Sequence, residues 1–254
     1  MSKNWLFSLT FLAHFSVYAG EAATDSPIIQ TPSHWQSQVE LGYQAHSGNS
    51  DSQAINTRVK GEYIQGRHRT NGEWRFHKLD KNGKENKRQS SYSVQTDYKL
   101  GPKAYLYGSF RGSDSRYSAY FTDYTWSGGL GYQLTNTDDL LIELELGPGY
   151  RYQEPNLDKI GSSDIIFPHL VKEPIYRGNL KVEWQVLKNF KLLTDLTMVG
   201  GGSNTRLDSD ISIINNITDN IALKITQTRQ YHNRVPKGLS KADSVMSVNL
   251  VFLF

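Results

Sequence analysis

The chain has 254 residues, with 28 Lys and Arg side chains, 25 Asp and Glu side chains and no cysteine. The near balance of charge, without a basic run, argues against a nucleic-acid partner. The lack of cysteine excludes disulfide bonds, zinc fingers and thiol catalysis.

The first residues are typical of an export signal. Lys3 provides a positive charge, and the segment Trp5–Val17 provides an apolar run that ends near small residues. A transmembrane anchor is the alternative, but the run is shorter than the ~18 residues that a membrane helix needs. We predict a cleaved signal peptide at residues 1–19 and a polar leader at residues 20–34.

From Trp35 onward the sequence alternates between apolar odd positions and polar even positions, a period of two that indicates a β-strand with one apolar face. The same rhythm returns along the chain and predicts twelve strands. Their predicted ranges are 35–47, 52–65, 69–80, 87–100, 104–112, 121–134, 140–154, 174–187, 190–200, 205–215, 220–231 and 243–254. The assignment of the fifth strand places Tyr105 and Tyr107 on its polar side.

Many short alternating strands fit either a soluble β-sandwich or a membrane barrel. Most of the predicted strands are longer than the ~5–6 residues usual in soluble sheets and match the ~9–11 residues of a membrane-crossing strand. Joins after even-numbered strands are short, whereas several after odd-numbered strands are longer, including 81–86 and 155–173. We therefore predict an all-β fold, a transmembrane antiparallel β-barrel of about twelve strands over residues 35–254.

The chain ends in VMSVNLVFLF, which spans residues 245–254. An unpaired strand edge is not tolerated in lipid, so this strand is expected to close the sheet against the first one. Its even positions would then face the hydrocarbon. The terminal Phe254 is similar to the signal by which barrel-assembly machinery recognises outer-membrane proteins.

Three segments carry a family resemblance: LGYQAHSGNSD (41–51), GGLGYQL (128–134) and ELGPGYRYQ (145–153). They resemble the YdiY-like family, also called putative salt-induced outer membrane proteins, a domain of unknown function. The resemblance implies an outer-membrane barrel and no established activity, so no catalytic residue is carried over. The residues that match the family motifs are Ser47, Gly48, Asn49, Gly129, Gly131, Gly147 and Gly149.

The glycine clusters have a structural explanation. Within a barrel wall, glycines relieve crowding, allow a bend or leave space for a bulky neighbour that points into the lumen. A phosphate cradle would need a strand–loop–helix context, which the pattern lacks. We predict no cofactor.

His46 is a candidate for catalysis, because it lies near Ser47, Asn49 and Ser50. Outer-membrane phospholipases use a Ser–His–Asn set, but on the lipid-facing wall, whereas His46 shares the parity of the polar residues. The segment SGNSD is also a typical turn composition. We predict no catalytic residue and no metal ligand.

The polar face of the strands is expected to line the lumen. The predicted lumen-facing side chains are Glu40, Arg58, Lys60, Glu62, Glu73, Arg75, Asp97, Glu143, Glu145, Arg151, Arg177, Lys181, Glu183, Asp195, Asp208 and Asp210. Their charges nearly balance, which fits an internal ion-pair network or a weakly selective channel. A twelve-stranded barrel is intermediate in size between small barrels, whose interior is filled by side chains, and wide barrels, whose interior holds a water channel.

The sequence therefore predicts a protein of the Gram-negative outer membrane, surrounded by lipid and lipopolysaccharide and inserted by the barrel-assembly machinery. A small pore for ions or small polar solutes, with a role in salt or osmotic adaptation of the envelope, is the first hypothesis. A closed structural or adhesion barrel that uses the loop at 155–173 is the second. A lipid-modifying enzyme is the third.

Overall fold

The computed structural model describes residues 34–46, 52–116, 120–156, 169–234 and 241–254. They form the strands β1 (His34–His46), β2 (Ser52–Gln65), β3 (His68–Lys81), β4 (Lys84–Lys99), β5 (Ala104–Ser115), β6 (Tyr120–Asn136), β7 (Leu140–Pro155), β8 (Val171–Leu187), β9 (Phe190–Gly201), β10 (Thr205–Asn216), β11 (Ile221–His232) and β12 (Ala242–Leu253). Within these ranges there is no helix of the length and apolarity needed to cross a membrane. The predicted signal peptide lies outside the described residues.

Each strand pairs with its neighbours in the chain, and β1 pairs antiparallel with β12, so the sheet closes into a barrel. In this last seam Val39 lies opposite Phe252, and the amide of Ser37 donates to the carbonyl of Phe254 at 3.1 Å. Closure pairs the backbone N–H and C=O groups of the two edge strands, which would have no hydrogen-bond partner in lipid. The prediction of a twelve-stranded antiparallel barrel, closed by the final strand, is confirmed.

Side chains alternate between the two faces of the wall, and the apolar set faces outward. Leu41 and Met246 expose 52 % and 65 % of their surface, whereas the inward residues Glu40 and Asn249 are buried. A soluble barrel shows the reverse distribution, with apolar side chains inside. The apolar exterior is the one expected of a barrel whose solvent is lipid.

The two ends of the barrel differ in their connections. One end, called the turn end, carries short connections at 66–67, 100–103, 137–139, 188–189 and 217–220 together with His34 and Phe254. The other, called the loop end, carries connections at 47–51, 82–83, 116–119, 156–170, 202–204 and 233–241. Short turns at one end and longer loops at the other are typical of bacterial outer-membrane barrels.

One predicted connection at the loop end is corrected. The segment 81–86 is not a six-residue link, because β3 continues to Lys81 and β4 starts at Lys84. Asn82 and Gly83 have φ values of 51° and 71°, which allows a two-residue turn between the strands. Asn-Gly is the preferred pair for such a turn because both residues tolerate positive φ.

Candidate functional site

The inward side chains surround a lumen that contains two cavities of about 170 Å³ and about 270 Å³. The smaller, called the turn-side cavity, is lined by residues such as Lys60, Glu62 and Glu183 near the turn end. The larger, called the loop-side cavity, is lined by residues such as Asn56 and Gln230 nearer the loop end. Most of the residues that line the two cavities are polar or charged, which suits water and ions.

The two cavities meet at a layer of side chains that line both. This junction layer consists of Arg58, Glu73, Arg75, Ser93, Arg111, Asp195, Thr197, Arg206 and Asp210. All the predicted lumen-facing residues line one or both cavities except Asp97 and Arg151. Asp97 is buried and accepts a hydrogen bond from Arg69, which itself lines the turn-side cavity.

Four ion pairs join strands that lie at least four positions apart around the barrel, so they cross the lumen. Their nitrogen–oxygen distances are 2.7 Å for Arg75–Asp210, 2.5 Å for Arg206–Asp123, 3.1 Å for Arg69–Glu143 and 3.7 Å for Arg111–Asp208. Three of these pairs include a residue of the junction layer together with a partner on the far wall. The pairs place charged side chains across the lumen between the two cavities.

Strands β6–β8 form the part of the wall called the filled side, where the inward side chains are densely packed. The carboxylate of Glu145 accepts hydrogen bonds from Arg177 at 2.7 Å, Gln95 at 2.7 Å and Tyr105 at 3.0 Å. The guanidinium of Arg177 also lies 5.2 Å from the ring centre of Tyr107. Because each charged group has several partners, this cluster satisfies the requirement for burying charge.

Arg151 also belongs to the filled side and connects two parts of the wall. Its side chain is fully buried and donates to both oxygens of Asn204, at 3.2 Å and 2.9 Å, and to the carbonyl of Val199 at 3.2 Å. It thereby links β7 to the hairpin between β9 and β10. Its ion pair with Glu173 is longer, at 3.4 Å.

Glycines allow the filled side to accommodate large rings. Gly131 faces inward on β6, and a Cβ atom there would collide with the ring of Tyr105, which lies over it. A Cβ on Gly129 would lie 2.7 Å from the Cα atom of Gly147 and closer still to a backbone carbonyl of β7. Gly149 similarly leaves room for the backbone of β6 and for Ile175.

Strands β2 and β3 form the opposite part of the wall, called the open side. Apart from Ala54, none of their inward residues is buried. Arg58 bonds to Glu40 at 3.1 Å and to Glu73 at 2.5 Å, yet its side chain remains 21 % exposed to the lumen. Arg75, which pairs with Glu73 and Asp210, is 37 % exposed.

The network includes residues that were not among the predicted lumen-facing set, such as Arg69, Asp123 and Arg206. The alternation in the sequence does indicate an inward orientation for two of them. Arg69 lies on the same face of its strand as Glu73, and Arg206 lies on the same face as Asp208. Both Arg69 and Arg206 sit near strand ends, where a pattern alone does not separate a lumen residue from a loop residue.

Most of the candidate catalytic residues in the segment 46–50 lie outside the described residues. His46 is the last residue of β1, and the motif residues Ser47, Gly48 and Asn49 lie outside the described residues. Within the described ranges, no group of three or more His, Asp or Glu side chains could hold a metal ion.

A family model described as "Protein of unknown function, DUF481" matches residues 39–254. No curated protein matches the chain in sequence. Among solved structures, the NanC porin is 13 % identical with a TM-score of 0.51, over 85 % of this chain and 98 % of that chain. An outer membrane channel from Pseudomonas putida F1 is 11 % identical with a TM-score of 0.51, over 91 % of this chain and 100 % of that one. At these identities the likeness is one of fold.

Proposed function

The chain belongs to the DUF481 family of proteins of unknown function, and we propose that it is an outer-membrane channel for ions or small polar solutes. The observation that carries the proposal is the lumen itself, in which two polar cavities meet at a shared layer of charged side chains. A purely structural barrel has no need of cavities that follow one another between its ends. The apolar exterior places the wall in lipid, with the turn end expected on the periplasmic side.

The cross-lumen ion pairs define the kind of channel. Arg75 and Asp210 face each other across the junction layer, so a permeating ion passes between groups of opposite charge. Such a constriction favours small hydrated solutes and discriminates only weakly between signs. The similarity in fold to a porin and to an outer membrane channel supports the same assignment.

Recording from the purified barrel in a planar lipid bilayer tests the channel directly. We expect discrete conductance steps in KCl, with a small unit conductance because the junction layer is narrow. Reproducible insertion without conductance steps would contradict the proposal and favour a closed structural barrel, whose cross-lumen ion pairs would then serve stability alone.

A role in salt or osmotic adaptation of the envelope is the second part of the proposal. It is tested by comparing cells that lack the protein with cells that carry it, during growth at low and raised NaCl and after osmotic shifts. We expect a growth or survival difference that depends on salt and is restored by the wild-type chain. Equal behaviour under all these conditions would remove this part and leave the channel itself untouched.

The lipid and assembly partners follow from the location. The barrel is expected to contact phospholipid and lipopolysaccharide with its outer face and to be inserted by the barrel-assembly machinery. A lipid-modifying activity has no catalytic set among the described residues to support it. The adhesion alternative depends on residues 155–173, most of which lie outside the described structure.

A further inference from the structure

The two cavities differ in charge although the lumen as a whole is nearly balanced. Nine cationic and seven anionic side chains line the turn-side cavity, a net charge of +2 by subtraction. Five cationic and six anionic side chains line the loop-side cavity, a net charge of −1 with His77 neutral. By this count the lining of the turn-side cavity is the more positive of the two.

Lys60 stands out among the cations of the turn-side cavity. Within the described residues it has no carboxylate oxygen at ion-pair distance, whereas Lys181 pairs with Glu183 at 2.7 Å and Lys224 pairs with Glu40 at 2.8 Å. It faces inward from β2, is only half-buried and lines the cavity. An ammonium without a fixed partner is free to donate to a solute.

Two of the carboxylates around Lys60 are already engaged by other cations. Glu73, opposite it in the β2–β3 register, is bonded by both Arg58 and Arg75. Glu183, across the lumen, is bonded by both lysines of its own neighbourhood, Lys181 and Lys191. Glu62, two residues along β2 on the same face, also lines the cavity and makes no ion pair within the described residues, so it is the one nearby carboxylate that competes with a bound anion for Lys60.

Other cations surround the Lys60 ammonium. Arg58 and Lys181 line the same cavity as Lys60. Two repulsive neighbours raise the free energy of the empty cavity, and a bound anion relieves that repulsion. The amide group of Asn71 also lines the cavity and offers an uncharged hydrogen-bond donor.

We propose that the turn-side cavity binds a small oxyanion, either inorganic phosphate or the carboxylate of a small organic acid. Lys60 would donate directly to its oxygens, with Arg58 and Lys181 providing additional positive charge. The proposal rests on the channel function and deepens it by naming the class of solute that pauses in the lumen. Its position near the turn end means that the site is reached first from the side that carries His34 and Phe254.

Binding to the purified barrel in detergent tests the site without requiring conduction. Isothermal titration calorimetry would compare phosphate, succinate and chloride at matched ionic strength, so that the two oxyanion sources are separated from general screening. We expect phosphate, succinate or both to bind more tightly than chloride. Lys60→Gln should weaken that binding about tenfold or more, the loss expected for one hydrogen bond to a charged group.

Two further variants serve as controls for the binding measurement. Lys87→Gln removes the same charge from the loop-side cavity and should leave oxyanion binding unchanged. Lys60→Arg keeps the charge and should retain most of the binding. Binding no tighter than that of chloride, or equal losses in Lys60→Gln and Lys87→Gln, would overturn the proposal. Neither result depends on whether the barrel conducts, so failure of the site and failure of the channel are distinguishable.

Discussion

Strands β6–β8 and strands β2–β3 both turn charged side chains toward the lumen, but only the first group buries most of them. On the filled side Glu145 and Arg177 share several partners and are almost inaccessible. On the open side Arg58 and Arg75 make comparable ion pairs and still face the cavities. Charged residues of the same types are therefore buried among partners on the filled side and face the cavities on the open side. The number of charges alone does not distinguish these two environments.

The difference arises from the residues that accompany the charges. Gly131 on β6 leaves space that Tyr105 occupies, and with Tyr107 beside Arg177 the rings exclude water from the neighbouring charges. The inward residues of β2 and β3 include no ring that packs in this way. We infer that the filled side supports the barrel and that the open side lines the solute path.

The largest expected effect is a loss of stability on the filled side. Glu145→Gln preserves the shape of the side chain but leaves the buried Arg177 without its counter-charge. Removing one partner of a buried ion pair costs roughly 3–5 kcal/mol. The melting temperature in detergent, followed by circular dichroism, should fall clearly.

Glu62→Gln is the matched control for that experiment. Glu62 also lines the lumen but makes no ion pair within the described residues. Its melting temperature should stay close to that of the wild type. Equal changes in the two variants would mean that the distinction between the two sides of the lumen has no energetic basis.

The next effect concerns the glycine contact between β6 and β7. Gly129→Ala would place a Cβ atom 2.7 Å from the Cα atom of Gly147, where no flexible side chain can move away. Overpacking of this kind costs about 1–3 kcal/mol. We expect a lower melting temperature and a lower folding yield into detergent or liposomes.

Gly108→Ala provides the comparison, because a Cβ atom at Gly108 meets no heavy atom within 4 Å. This variant should fold with a wild-type yield. If both alanine variants fold equally well, the close approach of the two backbones is not what requires glycine at residue 129.

A change on the open side should alter conduction more than stability. Arg75→Gln removes the pair with Asp210 that spans the junction layer, while Glu73 keeps its bond to Arg58. The unit conductance in a planar bilayer should rise severalfold, because the constriction widens and loses a fixed charge.

Arg88→Gln is a suitable control for Arg75→Gln. Arg88 lies on the outer face of β4 and pairs with Glu85 at 2.5 Å. Its removal should leave the unit conductance unchanged. A wild-type conductance in Arg75→Gln would show that the solute path does not pass the Arg75–Asp210 pair.

The smallest expected effect lies near the turn end. Glu62→Gln removes one negative charge from a cavity that already has a net positive lining. The reversal potential in a KCl gradient should shift slightly toward chloride, because the local potential becomes more positive. A shift toward potassium would contradict the charge assignment of this cavity.

The two-residue alternation was sufficient to predict the barrel, its twelve strands and its closure by residues 245–254. Parity also placed Tyr105 and Tyr107 on the polar side of β5, where both are buried in the lumen. The cross-lumen pairs could not be predicted this way, because Arg75 meets Asp210 only after closure and stagger bring β3 opposite β10. The alternation predicts whether a side chain points into or out of the barrel, but not which side chain it contacts across the lumen.

The most direct test of a water-lined path uses two single-cysteine variants of β4, since the chain has no cysteine of its own. Ser93 faces inward and lines both cavities, whereas Thr96 is exposed on the outer face. We predict that a charged, membrane-impermeant thiol reagent reduces the single-channel current of Ser93→Cys and leaves that of Thr96→Cys unchanged. An unchanged current in Ser93→Cys, or an equal reduction in both, would contradict conduction through the lumen.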